Sequence, residues 1–152
     1  MSQRMKYASV VPDGMKAMAS VLDYIGRSTL SKQLVDLVYL RVSQINGCAY
    51  CIGLHSDDLL KDGMAVEKLV LVPLWREAGA LFSDQEQAAL RWAETVTRVE
   101  QTGVPDDEFQ AVARHFREKE LADLTIAIGI MNAYNRLAIS FRRTPEAAKP
   151  AK

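Results

Sequence analysis

The chain is poor in cysteine, histidine and proline, and its charges balance. Its 152 residues include two cysteines, two histidines and five prolines, and 19 basic side chains offset 19 acidic ones. Without an excess of one sign we expect no nucleic-acid partner. Apolar runs fall short of the roughly 20 residues that span a bilayer, and the opening MSQRMKYASVVPDG lacks the apolar core of a signal peptide. We therefore expect a cytoplasmic protein with no membrane partner.

Strand-like alternation of apolar and polar residues is also scarce, whereas apolar side chains recur at helical spacing. We predict an all-α, single-domain fold of about six to eight helices over residues 1–143. The tail at 144–152, TPEAAKPAK, is predicted to be disordered. The helices are expected over about 13–25, 31–45, from near Cys48 to before Gly63, 83–99, 106–116 and 118–142, with short helices flanking Pro73.

Local signals mark several helix ends. Ser31 is a predicted N-cap, and Ser83 with Glu86 forms a capping box at the start of another helix. Asn46-Gly47 supplies a stop between two helices. Glycine does not form a phosphate-cradling loop anywhere in the chain, and we predict no cofactor.

Both cysteines and one histidine lie in the stretch INGCAYCIGLH, residues 45–55. Cys48, Cys51 and His55 occupy positions i, i+3 and i+7, which share one face of an α-helix. The Asn46-Gly47 stop places Cys48 in the first turn of the next helix, where unpaired backbone N–H groups and the helix dipole favour a thiolate. The spacing therefore predicts that the three groups meet in one small volume.

A cysteine pair in a reducing compartment is more often catalytic or metal-binding than structural. A thiol peroxidase needs a nucleophilic thiolate, a resolving thiol and a proton carrier, which this set supplies. Two alternatives stay open. The thiols could be small buried side chains, or Cys48, Cys51 and His55 could bind zinc, although His115 lies in a separate helix and no second cysteine pair exists.

Asp36 is an acid within the apolar run QLVDLVYLRV, which predicts a buried helix. An unpaired carboxylate there would have a raised pKa and could exchange protons. Alternatively, Asp36 is partly exposed and pairs with Lys32 four residues earlier. The spacing alone does not choose between these two arrangements.

The run DLVYLRVSQINGCAYCIGLHSDDLLKDG resembles the core of the AhpD-like alkylhydroperoxidases within the carboxymuconolactone decarboxylase superfamily. The similarity continues through LWREAGALFSDQEQAALRWAE and ADLTIAIGIMNAYNRLAISF. It implies an all-helical trimer or hexamer that reduces a hydroperoxide substrate and is itself reduced by a dithiol protein. It also implies that Cys51 attacks the peroxide, Cys48 resolves, and His55 with Asp36 forms the proton relay; no metal is implied.

Two residues depart from that family pattern. Asp36 stands where the characterised peroxidases have glutamate, so the shorter acid would need a water or a closer helix approach to reach its partner. Tyr50 stands where they have a histidine between the cysteines, and we regard it as a candidate supporting residue. The decarboxylase of the superfamily does not rely on a cysteine pair, so the retained pair argues against that non-redox activity here.

Three polar residues interrupt the apolar final helix: Asn132, Asn135 and Arg136. We expect them to satisfy buried backbone or a subunit contact, and a substrate role for Arg136 is an alternative. Large aromatic side chains elsewhere are predicted to be core or interface residues, namely Trp75, Phe82 and Trp92.

Overall fold

The computed structural model describes residues 2–145, and this part of the chain is built from helices without a strand. The nine α-helices are α1 (Tyr7–Val10), α2 (Pro12–Gly26), α3 (Lys32–Asn46), α4 (Ala49–Lys61), α5 (Val66–Val70), α6 (Asp84–Thr97), α7 (Val99–Thr102), α8 (Asp106–Ala113) and α9 (Glu118–Ser140). Two 3-10 turns, Val72–Leu74 and Gly79–Leu81, lie between α5 and α6. The predicted all-α fold is confirmed. From position 146 on, the tail predicted to be disordered lies outside the described residues.

Helix α3 is the centre of the fold and packs against α4, α6 and α9. Its side chains Leu37, Val38, Leu40 and Val42 are fully buried. Burial of apolar surface on several sides of one helix is the main source of stability in such a fold. Because α3 is enclosed in this way, it also carries Asp36 into the interior.

The predicted helix ends at Ser31, Gly47 and Ser83 are present. Ser31 Oγ accepts the backbone N–H of Leu34 at 3.2 Å, and Ser83 forms the capping box with Glu86. Gly47 ends α3 in the left-handed conformation with φ 71°, which glycine adopts without strain.

Three predicted helices end earlier than expected. The helix predicted through Val99 stops at Thr97, where the hydroxyl of Thr102 donates to the carbonyl of Thr95 at 2.8 Å as the chain turns into α7. The helix predicted to Phe116 stops at Ala113, since a turn brings the Phe116 side chain into the core. The last helix stops at Ser140 instead of about residue 142. In each case a side-chain or turn contact replaces the next helical hydrogen bond.

Helix α9 is tied to the end of α3 by an amide network. The side-chain NH₂ of Asn46 donates to Asn132 Oδ1 at 3.0 Å and to Asn135 Oδ1 at 2.9 Å. The buried Asn135 in turn donates to the hydroxyl of Ser43 at 3.1 Å. These bonds hold the turn between α3 and α4. No helix within residues 2–145 has the length and apolarity needed to cross a membrane.

Candidate functional site

Cys48 and Cys51 form a disulfide at the start of α4, with their Cα atoms 5.3 Å apart. Cys48 is the N-cap of α4 and not a member of its first turn, which corrects the predicted position by one residue. Its Sγ accepts the backbone N–H of Cys51 at 3.3 Å. The predicted interaction between this sulfur and the unpaired N–H groups of a helix start is therefore present.

The turn before α4 explains this placement. Gly47 N–H donates to the carbonyl of Gln44, and Cys48 N–H donates to that of Ser43 at 3.0 Å. This pair of bonds with a left-handed residue is a Schellman motif. Because the motif reverses the chain within two residues, Cys48 both completes the end of α3 and begins α4.

His55 and Asp36 come together where α4 packs on α3. Both are buried, and His55 Nδ1 lies 3.8 Å from Asp36 Oδ1. That distance is longer than a hydrogen bond, as expected for an aspartate in place of the longer glutamate. A proton could pass between the two groups only through a bridging water or after the two helices move slightly closer. The ring of Tyr39 packs against the imidazole with centroids 5.1 Å apart.

Asp36 is buried and paired at the same time. Lys32 Nζ donates to Asp36 Oδ2 at 2.8 Å, and Lys32 also pairs with Asp62. Burial alone would raise the pKa of Asp36, but its interactions with His55 and Lys32 outweigh burial and hold the pKa below its ordinary value. Of the two arrangements that the spacing left open, the pair with Lys32 is therefore present, although Asp36 is buried and not partly exposed.

Asp58 is a member of the site that sequence reasoning missed. Its Oδ2 lies 3.8 Å from the same Nδ1 of His55, which is buried and has no hydrogen-bond partner among the described residues. The signal was available, because Asp58 follows His55 by three positions on one helix. Asp36, His55 and Asp58 each offer one ligand atom within 4.8 Å of the others, so they are the described residues that could hold a cation.

The zinc alternative does not fit the cysteines in this state. A disulfide removes the two thiolates that would bind the ion, and Nδ1 of His55 faces carboxylates. His115, the other histidine, lines a separate cavity of about 300 Å³ with Trp75.

A small cavity of about 150 Å³ is lined by both Cys51 and His55. Its remaining walls are mostly apolar or phenolic, and include Leu22, Leu54, Met131, Tyr7, Tyr39 and Tyr134. Tyr50, Ala138 and Arg143 complete the wall. The arrangement can seat a small organic molecule against a cysteine and a buried imidazole.

Cys48 borders a different and more open cavity of about 300 Å³, formed with Arg142, Thr144 and Pro145 at the end of the described chain. Tyr50 and Arg143 line both cavities. The two cysteines thus line two neighbouring cavities that share part of their wall. Arg136 lines neither of them and is exposed, bonded to Asn132.

A family model for carboxymuconolactone decarboxylases matches residues 12–95. The chain belongs to the carboxymuconolactone decarboxylase family. The uncharacterised protein YdfG from Bacillus subtilis is 35% identical over 140 residues, which cover 92% of this chain and 95% of YdfG. The Escherichia coli protein YnjA is 34% identical over 106 residues, 70% of this chain and 57% of its own length.

Solved structures of similar chains show that this protein has an AhpD-like fold. A protein of unknown function from Agrobacterium tumefaciens, suggested to be the antioxidant defence protein AhpD, superposes with a TM-score of 0.91 at 35% identity over 99% of this chain and all of that one. A peroxidase-related protein from Ralstonia eutropha has a TM-score of 0.80 at 20% identity, covering 92% and 74%. The debrominase Bmp8 shares the fold, with a TM-score of 0.76 at 19% identity, covering 92% and 75%.

These similarities confirm the AhpD-like resemblance and the fold that it implied. Family membership and the paired cysteines are established for this chain, whereas the predicted roles of Cys48, Cys51, His55, Asp36 and Tyr50 stay predictions. A fold shared with a debrominase also means that the carboxymuconolactone decarboxylase frame accommodates more than one chemistry.

Proposed function

We propose that the protein is a thiol peroxidase that reduces hydroperoxides through Cys48 and Cys51. The observation that carries the proposal is the disulfide at the start of α4, whose Cys51 shares a small cavity with the buried His55. The antioxidant and peroxidase-related descriptions of structural relatives support the same reaction class.

The reaction starts from the reduced pair. His55 accepts the proton of Cys51, and the thiolate attacks the terminal oxygen of the hydroperoxide. The O–O bond breaks, Cys51 becomes a sulfenic acid, and the departing alkoxide takes the proton from His55 to leave as an alcohol. Cys48 then attacks the sulfenic sulfur and releases water. Two thiols and a hydroperoxide thereby become a disulfide, an alcohol and water.

The carboxylates of Asp36 and Asp58 lie beside the imidazole through which the proton passes, each 3.8 Å from Nδ1. Interactions with His55 and Lys32 hold the pKa of Asp36 below its ordinary value, so its carboxylate is available to the relay. Tyr50 has a supporting role, since its ring forms part of the wall of both cavities.

The reducing partner in this proposal is a dithiol protein that approaches Cys48 from the larger cavity. A cytoplasmic location would supply such a partner.

The second partner is the chain itself, as a trimer or hexamer. Exposed apolar side chains on α4 and α9 support this association: Leu54, Leu60, Ile126 and Ile139. Light scattering of the purified protein should give a mass of three or six chains, and a monomer would contradict it.

The thiol chemistry is tested on the fully reduced protein with one equivalent of tert-butyl hydroperoxide. Mass spectrometry should find the loss of two hydrogens and a Cys48–Cys51 link. In Cys48→Ser a sulfenic acid on Cys51 should be trapped by dimedone, whereas Cys51→Ser should react at least about a hundredfold more slowly than wild type. Equal rates for Cys51→Ser and wild type would overturn the assignment.

The same preparation separates the remaining alternatives. Thiols that resist both hydroperoxide and alkylation in the folded protein would indicate a structural pair. Zinc retained by freshly purified, reduced protein would indicate a metal site. Turnover of a lactone by the Cys48→Ser, Cys51→Ser double variant would indicate the non-redox chemistry of the wider family.

A further inference from the structure

Arg143 is a cation at the wall of the Cys51 cavity, and its neighbours there are neutral. Its guanidinium carbon lies 3.8 Å from the centre of the Tyr50 ring, and Nη1 donates to the hydroxyl of the buried Tyr7 at 3.3 Å. No acidic side chain among residues 2–145 pairs with it, and none lines the cavity. The stack and the hydrogen bond therefore orient the charge without neutralising it.

The backbone at the end of α9 holds Arg143 in this place. Arg142 N–H donates to the carbonyl of Ile139 at 3.1 Å and Arg143 N–H to that of Ala138 at 2.9 Å, with Arg142 in the left-handed conformation at φ 53°. This turn is a Schellman motif, of the same kind as the one that places Cys48 after Gly47 at the end of α3. Here the left-handed residue is an arginine, so the turn is strained, as is common at functional sites.

The rest of the cavity suits a small amphipathic molecule. Leu22, Leu54 and Met131 supply apolar surface, and no carboxylate interrupts it. Burial raises the pKa of the Tyr39 and Tyr134 phenols above the ordinary value, so their hydroxyls stay neutral. A fixed guanidinium within apolar walls is the arrangement that binds a carboxylate attached to an apolar body.

We propose that the substrate is a small hydroperoxide bearing a carboxylate, and that Arg143 binds this carboxylate. The apolar part of the molecule packs against Leu54 and Met131, while its hydroperoxide group reacts at Cys51. This inference rests on the proposed peroxidase function and adds the substrate class. The reaction is balanced as above: the hydroperoxy acid loses one oxygen to Cys51 and leaves as the corresponding hydroxy acid.

Ligand binding tests the inference without any turnover. Hexanoate and its neutral counterpart hexanamide are titrated into the disulfide form of the full chain by calorimetry. A charge-assisted bidentate contact predicts that hexanoate binds about tenfold or more tightly than hexanamide. Arg143→Gln should remove this preference, and Arg143→Lys should keep only part of it, because lysine lacks the planar fork.

Arg136→Gln is the matched control. It removes the same charge from the end of α9, but Arg136 lines neither cavity. It should therefore bind hexanoate as wild type does. A preference that survives Arg143→Gln, an equal loss in Arg136→Gln, or no measurable binding of hexanoate would each overturn the inference. Thermal unfolding of each variant checks that it is folded.

Kinetics then separate this inference from the peroxidase proposal. The oxidation rate of the reduced protein is compared for hydroperoxyhexanoate and its methyl ester. We expect the acid to react about tenfold faster in wild type and equally fast in Arg143→Gln. Equal rates in wild type would overturn the substrate class while leaving the peroxidase in place. Thiols inert to both compounds, together with Arg143-dependent binding of hexanoate, would overturn the peroxidase but leave the carboxylate site.

Discussion

Glu94 and Asp36 are both acids in the interior of this protein, yet their surroundings differ sharply. Glu94, on α6, is 6% exposed and every part of its carboxylate is engaged. Its Oε1 accepts Arg41 Nε at 2.8 Å and Trp75 Nε1 at 3.1 Å, and Oε2 accepts Arg76 Nη1 at 2.5 Å. These bonds outweigh burial, which alone would raise its pKa, and hold that pKa below the ordinary value.

Asp36, at 7% exposure, makes far less use of its carboxylate. Its Oδ2 accepts one hydrogen bond from Lys32, whose side chain is 68% exposed, and its Oδ1 faces His55 across 3.8 Å. The imidazole Nδ1 opposite is left without a partner among the described residues. Buried polar groups in proteins are normally satisfied, so this exception calls for a reason.

The comparison distinguishes a structural acid from one suited to chemistry. Both carboxylate oxygens of Glu94 accept hydrogen bonds, from Arg41, Trp75 and Arg76, so neither oxygen is free to take part in proton transfer. A partly satisfied carboxylate such as that of Asp36 keeps an oxygen facing a titratable partner. The Glu94 region should therefore govern stability, and the Asp36 region should govern the rate of thiol oxidation.

The largest expected effect is on stability in Glu94→Gln. Breaking a buried ion pair by removing one partner costs about 3–5 kcal/mol, because the remaining charges are left uncompensated. Urea unfolding at pH 7 measures this loss. Glu108→Gln is the control, since Glu108 pairs with Arg91 nearer the surface and should lose about 0–1 kcal/mol. Similar losses in the two variants would remove the distinction drawn for Glu94.

A second effect appears only in acid. The folded protein holds the pKa of both Glu94 and Asp36 below the unfolded value, so the stability that they contribute is complete above the unfolded pKa. It is lost as the pH falls through the folded pKa. We expect the free energy of unfolding to fall below about pH 4.5 in wild type and to fall less steeply in Glu94→Gln. Parallel curves from pH 7 to pH 3 would contradict this linkage.

A third effect concerns rate. Under the proposed mechanism, Asp36→Asn removes the negative charge beside His55. The oxidation of Cys51 by hydroperoxide should therefore slow about 10- to 100-fold, equivalent to about 1.4–2.7 kcal/mol in the barrier. Its pH profile should shift as well. Asp36→Glu extends the carboxylate toward His55 and should retain the rate. Stopped-flow fluorescence measures both variants, and an unchanged rate in Asp36→Asn would exclude the relay.

The smallest effect is expected at the exposed partner of Asp36. Lys32→Met removes a cation that is largely in water, so unfolding should change by about 0–1 kcal/mol. Arg41→Met should cost clearly more, because Arg41 and Glu94 are both buried, at 12% and 8% side-chain exposure, so water cannot replace the lost contacts as it does around the exposed Lys32. Equal costs for the two variants would mean that the regions do not differ in the way proposed.

Much of the fold was predictable because its signals are local. The caps at Ser31 and Ser83 and the stop at Gly47 depend on residues within a few positions of each other. Helix ends were missed where a turn competed with the helix, as at Thr97 and Ala113. Such competition depends on packing that no local pattern encodes.

The candidate site likewise has a part that local signals predicted and a part that depends on the packing of the helices. Spacing alone placed Cys51 and His55 one turn apart on the helix that begins after Cys48, and it offered Lys32 as a partner for Asp36. Spacing could not decide that Asp36 is buried and paired at once, since that arrangement depends on α3 being enclosed by α4, α6 and α9.

The amino-acid sequence by itself determined the helices, the cysteine pair and the family, because periodicity, capping and motif spacing act over short distances along the chain. Only the tertiary structure decided which groups surround the pair. It brings Arg143 onto Tyr50 and Tyr7, residues far away along the chain, and it gives Cys48 and Cys51 different neighbouring cavities. The physical reason is that such neighbours are selected by the packing of whole helices and not by any local preference.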